Sequence, residues 1–73
     1  MDYTNKTLTL NDGITYVVVE QVDYDDKTYL YIVNSEDEKD TSFIELNGGN
    51  LSTIDPELFK NVIFPLFKEK FEK

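Results

Sequence analysis

The chain has 73 residues and sets 15 acids against seven lysines and no arginine, for a formal net charge of -8. It contains neither Cys nor His, which removes disulfide frameworks, thiol chemistry, most zinc sites and imidazole acid–base catalysis. Without a guanidinium there is no bidentate recognition of phosphate or carboxylate. The acidic balance also disfavours direct binding to nucleic acid or anionic lipid.

Residues 1–73 are expected to form one small domain, near the lower limit at which a single core suffices. The opening "MDYTNKTLTLND" has no basic stretch followed by an apolar run, so it does not read as a signal peptide. The apolar runs are too short to span a membrane. The expected setting is the cytoplasm.

In chain order, Leu8 and Leu10 alternate with Thr7 and Thr9, the period of a strand. Asn11-Asp12-Gly13 follows, and Asp-Gly signals a tight hairpin turn. "ITYVVVEQV", Ile14 to Val22, is rich in β-branched residues and reads as a second strand. "KTYLYIVN", Lys27 to Asn34, reads as a third, reached through the polar turn Tyr24-Asp25-Asp26. "TSFIELN", Thr41 to Asn47, reads as a shorter fourth, after the acidic stretch "NSEDEKDTS".

A two-residue turn at Asp12-Gly13 sets Leu8 opposite Val17 and Leu10 opposite Thr15. A two-residue turn at Asp25-Asp26 sets Val19 opposite Ile32 and Gln21 opposite Leu30. Both registers place Leu8, Leu10, Val17, Val19, Leu30 and Ile32 on one face. The opposite face then carries Tyr16, Val18, Tyr29, Tyr31 and Val33.

Past "NGGN", Asn47 to Asn50, the pattern turns helical. Asp55-Pro56-Glu57 reads as N-cap, first helical residue and an acid in the first turn. Phe59, Val62, Ile63 and Leu66 recur at helical spacing, while Phe64, Phe67 and Phe71 widen that stripe. Lys68, Lys70 and Lys73 suit a helix C-terminus. Pro65 removes one backbone bond and predicts a kink or break. The expected fold class is α+β: a four-stranded antiparallel meander with one C-terminal helix laid on the Leu8/Val17/Val19/Leu30/Ile32 face.

Three chemistries are weighed against these elements. Calcium loops of the EF-hand type need Gly at the sixth position. From Asp23 the sixth residue is Thr28, and from Glu36 it is Thr41, so no metal site is expected. Gly48-Gly49 has no Lys-Ser or Lys-Thr after it, and reads as positive φ in the strand-to-helix connection, not a phosphate cradle. Paired carboxylates need a concave, partly dry pocket to work as acid and base, and here the acid clusters fall in turns. No catalytic residue and no cofactor is expected.

Two surfaces remain as binding candidates. Tyr16, Val18, Tyr29, Tyr31 and Val33 form a partner-binding face, since tyrosine buries area while keeping a polar handle. The acids Asp23, Asp25 and Asp26 with Glu36, Asp37, Glu38 and Asp40 form the rival surface. In an extended segment Glu36, Glu38 and Asp40 project to one side about 6.6–6.8 Å apart, the order of successive phosphates on a nucleic-acid strand.

Laid out this way, "YVVVEQVDYDDKTYLYIV" and "IDPELFKNVIFPLFKEKFEK" give the chain a pattern that resembles the YrzB-like family. That is a domain of unknown function in small acidic proteins of low-GC Gram-positive bacteria. The resemblance covers roughly residues 14–73. Pro65 inside the helix and the Lys-rich end depart from it. It implies a cytoplasmic bacterial or phage-borne protein and supplies no catalytic residue.

The resulting expectation is a noncatalytic protein-binding domain acting through the Tyr16/Tyr29/Tyr31 face, on a partner protein or a second copy. The alternative is a nucleic-acid mimic that inhibits a basic nucleic-acid-binding enzyme, in the manner of anti-CRISPR proteins.

Overall fold

Asp25 and Asp26 both adopt positive φ, 52° and 62°, the left-handed pair that a two-residue hairpin turn requires. Strands β2 (Thr15–Tyr24) and β3 (Lys27–Asn34) leave that turn antiparallel, with Tyr24 opposite Lys27 and Gln21 opposite Leu30. The structure, a computed structural model, describes residues 3–47 and 50–72.

Beyond Glu20 the expected register fails. Glu20 faces Tyr31 and Val18 faces Ile32, so Val19 is an extra residue with no partner: a β-bulge. The first hairpin differs as well. Leu10 donates its N–H to the Ile14 carbonyl at 3.0 Å, Gly13 donates to Leu10 at 2.9 Å, and Gly13 has φ 80°. The loop therefore has three residues, Asn11 to Gly13, with glycine in the left-handed position that a following bulge needs. Strand β1 (Thr7–Thr9) consequently sets Leu8 opposite Tyr16, not Val17.

Strand β4 (Asp37–Asn47) is longer than "TSFIELN" suggests. It starts inside the acidic stretch, because Ser35 and Glu36 alone make the turn and Asn34 already pairs with Asp37. The register then jumps, since Val33 pairs with Thr41. A fifth strand, β5 (Asn50–Thr53), pairs with the end of β4 from Ile44↔Thr53 to Asn47↔Asn50. The sheet order is β1-β2-β3-β4-β5, so five strands replace the expected four. Gly48-Gly49 lie outside the described residues, between β4 and β5 in sequence and not at the entry to a helix.

Helical structure covers residues 56–71. Asp55 caps it by accepting the Leu58 N–H at 3.2 Å, with Pro56 in the first turn, as the sequence predicts. The middle, Phe59–Ile63, is π-helical, and Phe64 donates its N–H to the Phe59 carbonyl. The chain stays helical through Ile63, Phe64 and Pro65 into Phe64–Phe71. The proline does not break the helix; the backbone widens immediately before it, where the missing N–H and the ring's bulk are felt.

The helix lies on the other face from the one expected. Ile63 and Phe67, both 0% exposed, pack with Val22 and Tyr29, flanked by Tyr31, Phe43, Leu58, Phe59 and Val62. The physical reason is the bulge. It reverses the facing of the first half of β2, so Tyr16 and Val18 join Leu30, Ile32 and Ile44 on the opposite side. On that side Leu30 and Ile32 are 0% exposed with no helix above them. Leu8 and Leu10 close in from one end of the sheet and Leu46 and Leu51 from the other, so the sheet curls over its own core.

Candidate protein-binding surfaces

The five residues expected to form one open face do not share a face. Tyr16 and Val18 belong to the curled side, whereas Tyr29 and Tyr31 lie beneath the helix. Tyr16, Val18 and Tyr29 are 6%, 0% and 1% exposed. Their burial gives the Tyr29 and Tyr16 phenols a different role. Burial, with the Glu45 carboxylate second, raises the Tyr29 pKa. Burial, then Asp40 and Asp12, raises that of Tyr16. Both rings are core residues with a polar handle turned to a carboxylate.

Asp40 is drawn inward by this arrangement. Its Oδ2 lies 3.4 Å from the Tyr16 hydroxyl and accepts from the Asn34 side-chain amide at 3.2 Å. Glu36 and Lys39 donate backbone N–H groups to the Asn34 and Asp37 side chains, at 2.8 and 3.1 Å. The acids of this segment therefore organise a turn and a bulged strand. Asp23 accepts from the Gln21 amide and the Thr28 hydroxyl, at 3.1 and 3.0 Å. In a meander successive turns alternate between the two ends of the sheet, which puts Asp25 and Asp26 at one end and Glu36 at the other. The seven acids do not come together as one surface. No group of three or more potential ligands among the described residues is placed to hold a metal ion.

The aromatic surface that the fold does present was only half legible. Tyr31 stacks on Phe43 with ring centroids 4.7 Å apart. Phe43 in turn meets Phe59, Phe67 and Phe64 at 4.9, 5.0 and 6.4 Å, and Phe71 meets Tyr31 edge-on at 5.5 Å. Phe67 is the buried centre of this network. Phe64 and Phe71 are 45% and 48% exposed, seven residues apart on one side of the helix. Phe43 itself gave no sequence signal, because its role appears only once β4 is set beside β3.

No helix among the described residues is long and apolar enough to cross a membrane. No protein-family model, curated protein or solved structure matches the chain.

Proposed function

We propose that this chain is a noncatalytic protein-binding domain that docks a partner protein through the Phe64/Phe71 ridge of its helix. One observation carries the reading. Two phenylalanines about half exposed sit on the rim of a six-ring aromatic network instead of being withdrawn into it. Exposed aromatics continuous with a rigid core supply contact area at little ordering cost, as interface hot spots do. The YrzB-like resemblance points to a bacterial or phage protein of the cytoplasm and brings no catalytic residue with it. The mimic reading draws less support, since the acidic turns fall at opposite ends of the sheet.

The test is capture from a lysate of the source organism at low and high salt. A partner held by the ridge survives high salt, is lost with the Phe64→Ser/Phe71→Ser double variant and is kept by Glu38→Lys. Release by salt together with loss on Glu38→Lys would instead mark an electrostatic mimic. Light scattering on the purified chain separates a foreign partner from a second copy.

A further inference from the structure

We propose that the cleft between β1 and β5 binds an extended peptide strand of a partner protein, one that alternates apolar with cationic side chains. The cleft has a volume of about 540 Å³ and is walled by Thr9 to Asp12 on one side and Asn50 to Thr53 on the other, with Ile44 between them. It exists because the sheet curls without closing. Leu8, Leu10 and Leu51 pack on one core, yet β1 and β5 remain the two ends of the sheet order and do not pair with each other.

Hydrogen-bond parity shows what the walls offer. Lys6 accepts from the Val18 N–H and Leu10 donates to the Ile14 carbonyl. The even-numbered residues of this segment thus face β2, and alternation turns the main-chain groups of Thr7 and Thr9 outward. On the other wall, Asn50 pairs with Asn47 across a two-residue link, the position at which a hairpin closes with bonds in both directions. Asn50 and Ser52 then bond toward β4, which turns Leu51 and Thr53 outward. The β5 wall is therefore a strand edge presenting donors and acceptors, and the other wall presents them at Thr9, where β1 ends before the Asn11 to Gly13 loop.

An extended peptide backbone is the ligand that offers N–H and C=O groups to both sides at once, so it extends the β5 edge along the cleft and the β1 edge from Thr9 back to Thr7. Alternate side chains of such a strand point down to Leu10, Ile44 and Leu51, which selects apolar residues there. The remaining side chains point away. Among the described residues Asp12 is the one charged residue lining the cleft, and the chain as a whole carries -8, so cations are favoured at those positions. A second copy of this chain is a poor occupant, since it brings the same negative charge.

The site is separate from the helix ridge, so the two can be tested apart. The probe is a synthetic octapeptide of alternating valine and lysine, acetylated and amidated at its ends, titrated into the isotope-labelled full chain. Saturable shifts and slowed hydrogen exchange are expected at the amides of Thr7, Thr9, Leu51 and Thr53. Methylating alternate peptide nitrogens should weaken binding at least about tenfold. Leu51→Asp should weaken it as well, while Phe64→Ser/Phe71→Ser leaves it unchanged. Equal binding by the methylated peptide, shifts confined to Asp25, Asp26 and Glu36, or no saturation at millimolar peptide would overturn the proposal. So would a concentration-dependent dimer that protects the same four amides without any peptide.

Discussion

The Lys70 ammonium donates to the backbone carbonyl of Gln21, two residues past the bulge at Val19, and lies 3.7 Å from the Glu20 carboxylate. Strand β2 outruns its neighbour β1 there, which would leave its edge bare. Glu20 takes the Gln21 N–H at 3.2 Å and Lys70 takes its carbonyl, so both main-chain groups of that residue are occupied. The Gln21 side chain accepts the Tyr3 N–H at 2.6 Å and ties the N-terminal segment to the same place. A helix residue thus pins the helix and blocks a strand edge together.

Lys70→Met keeps the aliphatic stem but removes the charge and its donors. Hydrogen bonds to charged groups contribute about 1.5–3 kcal/mol. Because the Lys70 side chain is 41% exposed, screening reduces the expected loss to about 1 kcal/mol. Urea unfolding should show a lower midpoint at unchanged slope, and light scattering should show more self-association from the freed edge. An unaltered midpoint would mean that the contact contributes nothing to stability.

The bulge yields paired predictions for substitution and deletion. Val19 is 42% exposed while its neighbour Val18 is 0% exposed, so Val19→Thr should change stability by less than about 0.5 kcal/mol. Deleting Val19 would make the β2–β3 ladder continuous and keep every remaining pair, Val18 opposite Ile32 and Glu20 opposite Tyr31, so both halves of β2 keep their faces. The deletion variant should remain folded by circular dichroism. An unfolded deletion variant would show that the bend at the bulge, and not the facing of β2 alone, is needed by the fold.

The bulge also explains what the sequence hid. The Asp25-Asp26 turn and the extent of β3 were legible because turn chemistry and periodicity are local. The three-residue loop at Asn11-Asp12-Gly13 displaces β2 by one residue against β1, and the extra Val19 displaces it by one against β3. The two shifts compensate, so Leu8, Leu10, Leu30 and Ile32 do share a face as the periodicity suggests. Between them the first half of β2 is reversed. Agreement between the two hairpin registers could not reveal this, because the first was off by one throughout and the second became off by one past Glu20 in the same strand. The helix went to the other face in consequence, and Tyr29 and Tyr31, expected at the surface, became its bed while Tyr16 joined the opposite core. Strand β5 was missed because "NLST" has little apolar alternation and its pairing depends on β4.

The Asp25-Asp26 turn is a place to gain stability. Both residues hold left-handed backbone, which costs an L-residue with a side chain roughly 1–2 kcal/mol, less for Asp than for most. Asp26→Gly removes that strain and one of several neighbouring carboxylates, and should raise stability by about 0.5–1 kcal/mol. Thermal or urea unfolding measures it directly. A loss of stability would show that added freedom in the unfolded chain outweighs the strain removed.

Tyrosine ionisation predicts how the fold ends at high pH. Tyr29 and Tyr16 both have pKa values raised from 10.0, mainly by burial and then by Glu45 and Asp40 respectively. Their folded values exceed their unfolded values, so their contribution is fully present below the unfolded value. It is lost as pH rises through that value toward the folded one, since the unfolded chain gives up protons that the native chain holds. Wild-type stability should therefore fall as pH rises past the ordinary tyrosine value of about 10. Tyr29→Phe removes one such group, at the cost of its contact with Glu45. It should be less stable than wild type near neutral pH and lose stability less steeply above about pH 10. Tyr16→Phe should behave likewise through Asp40. Urea unfolding of all three chains across this range is the measurement. Curves that run parallel with pH would show that neither phenol is held neutral by the fold.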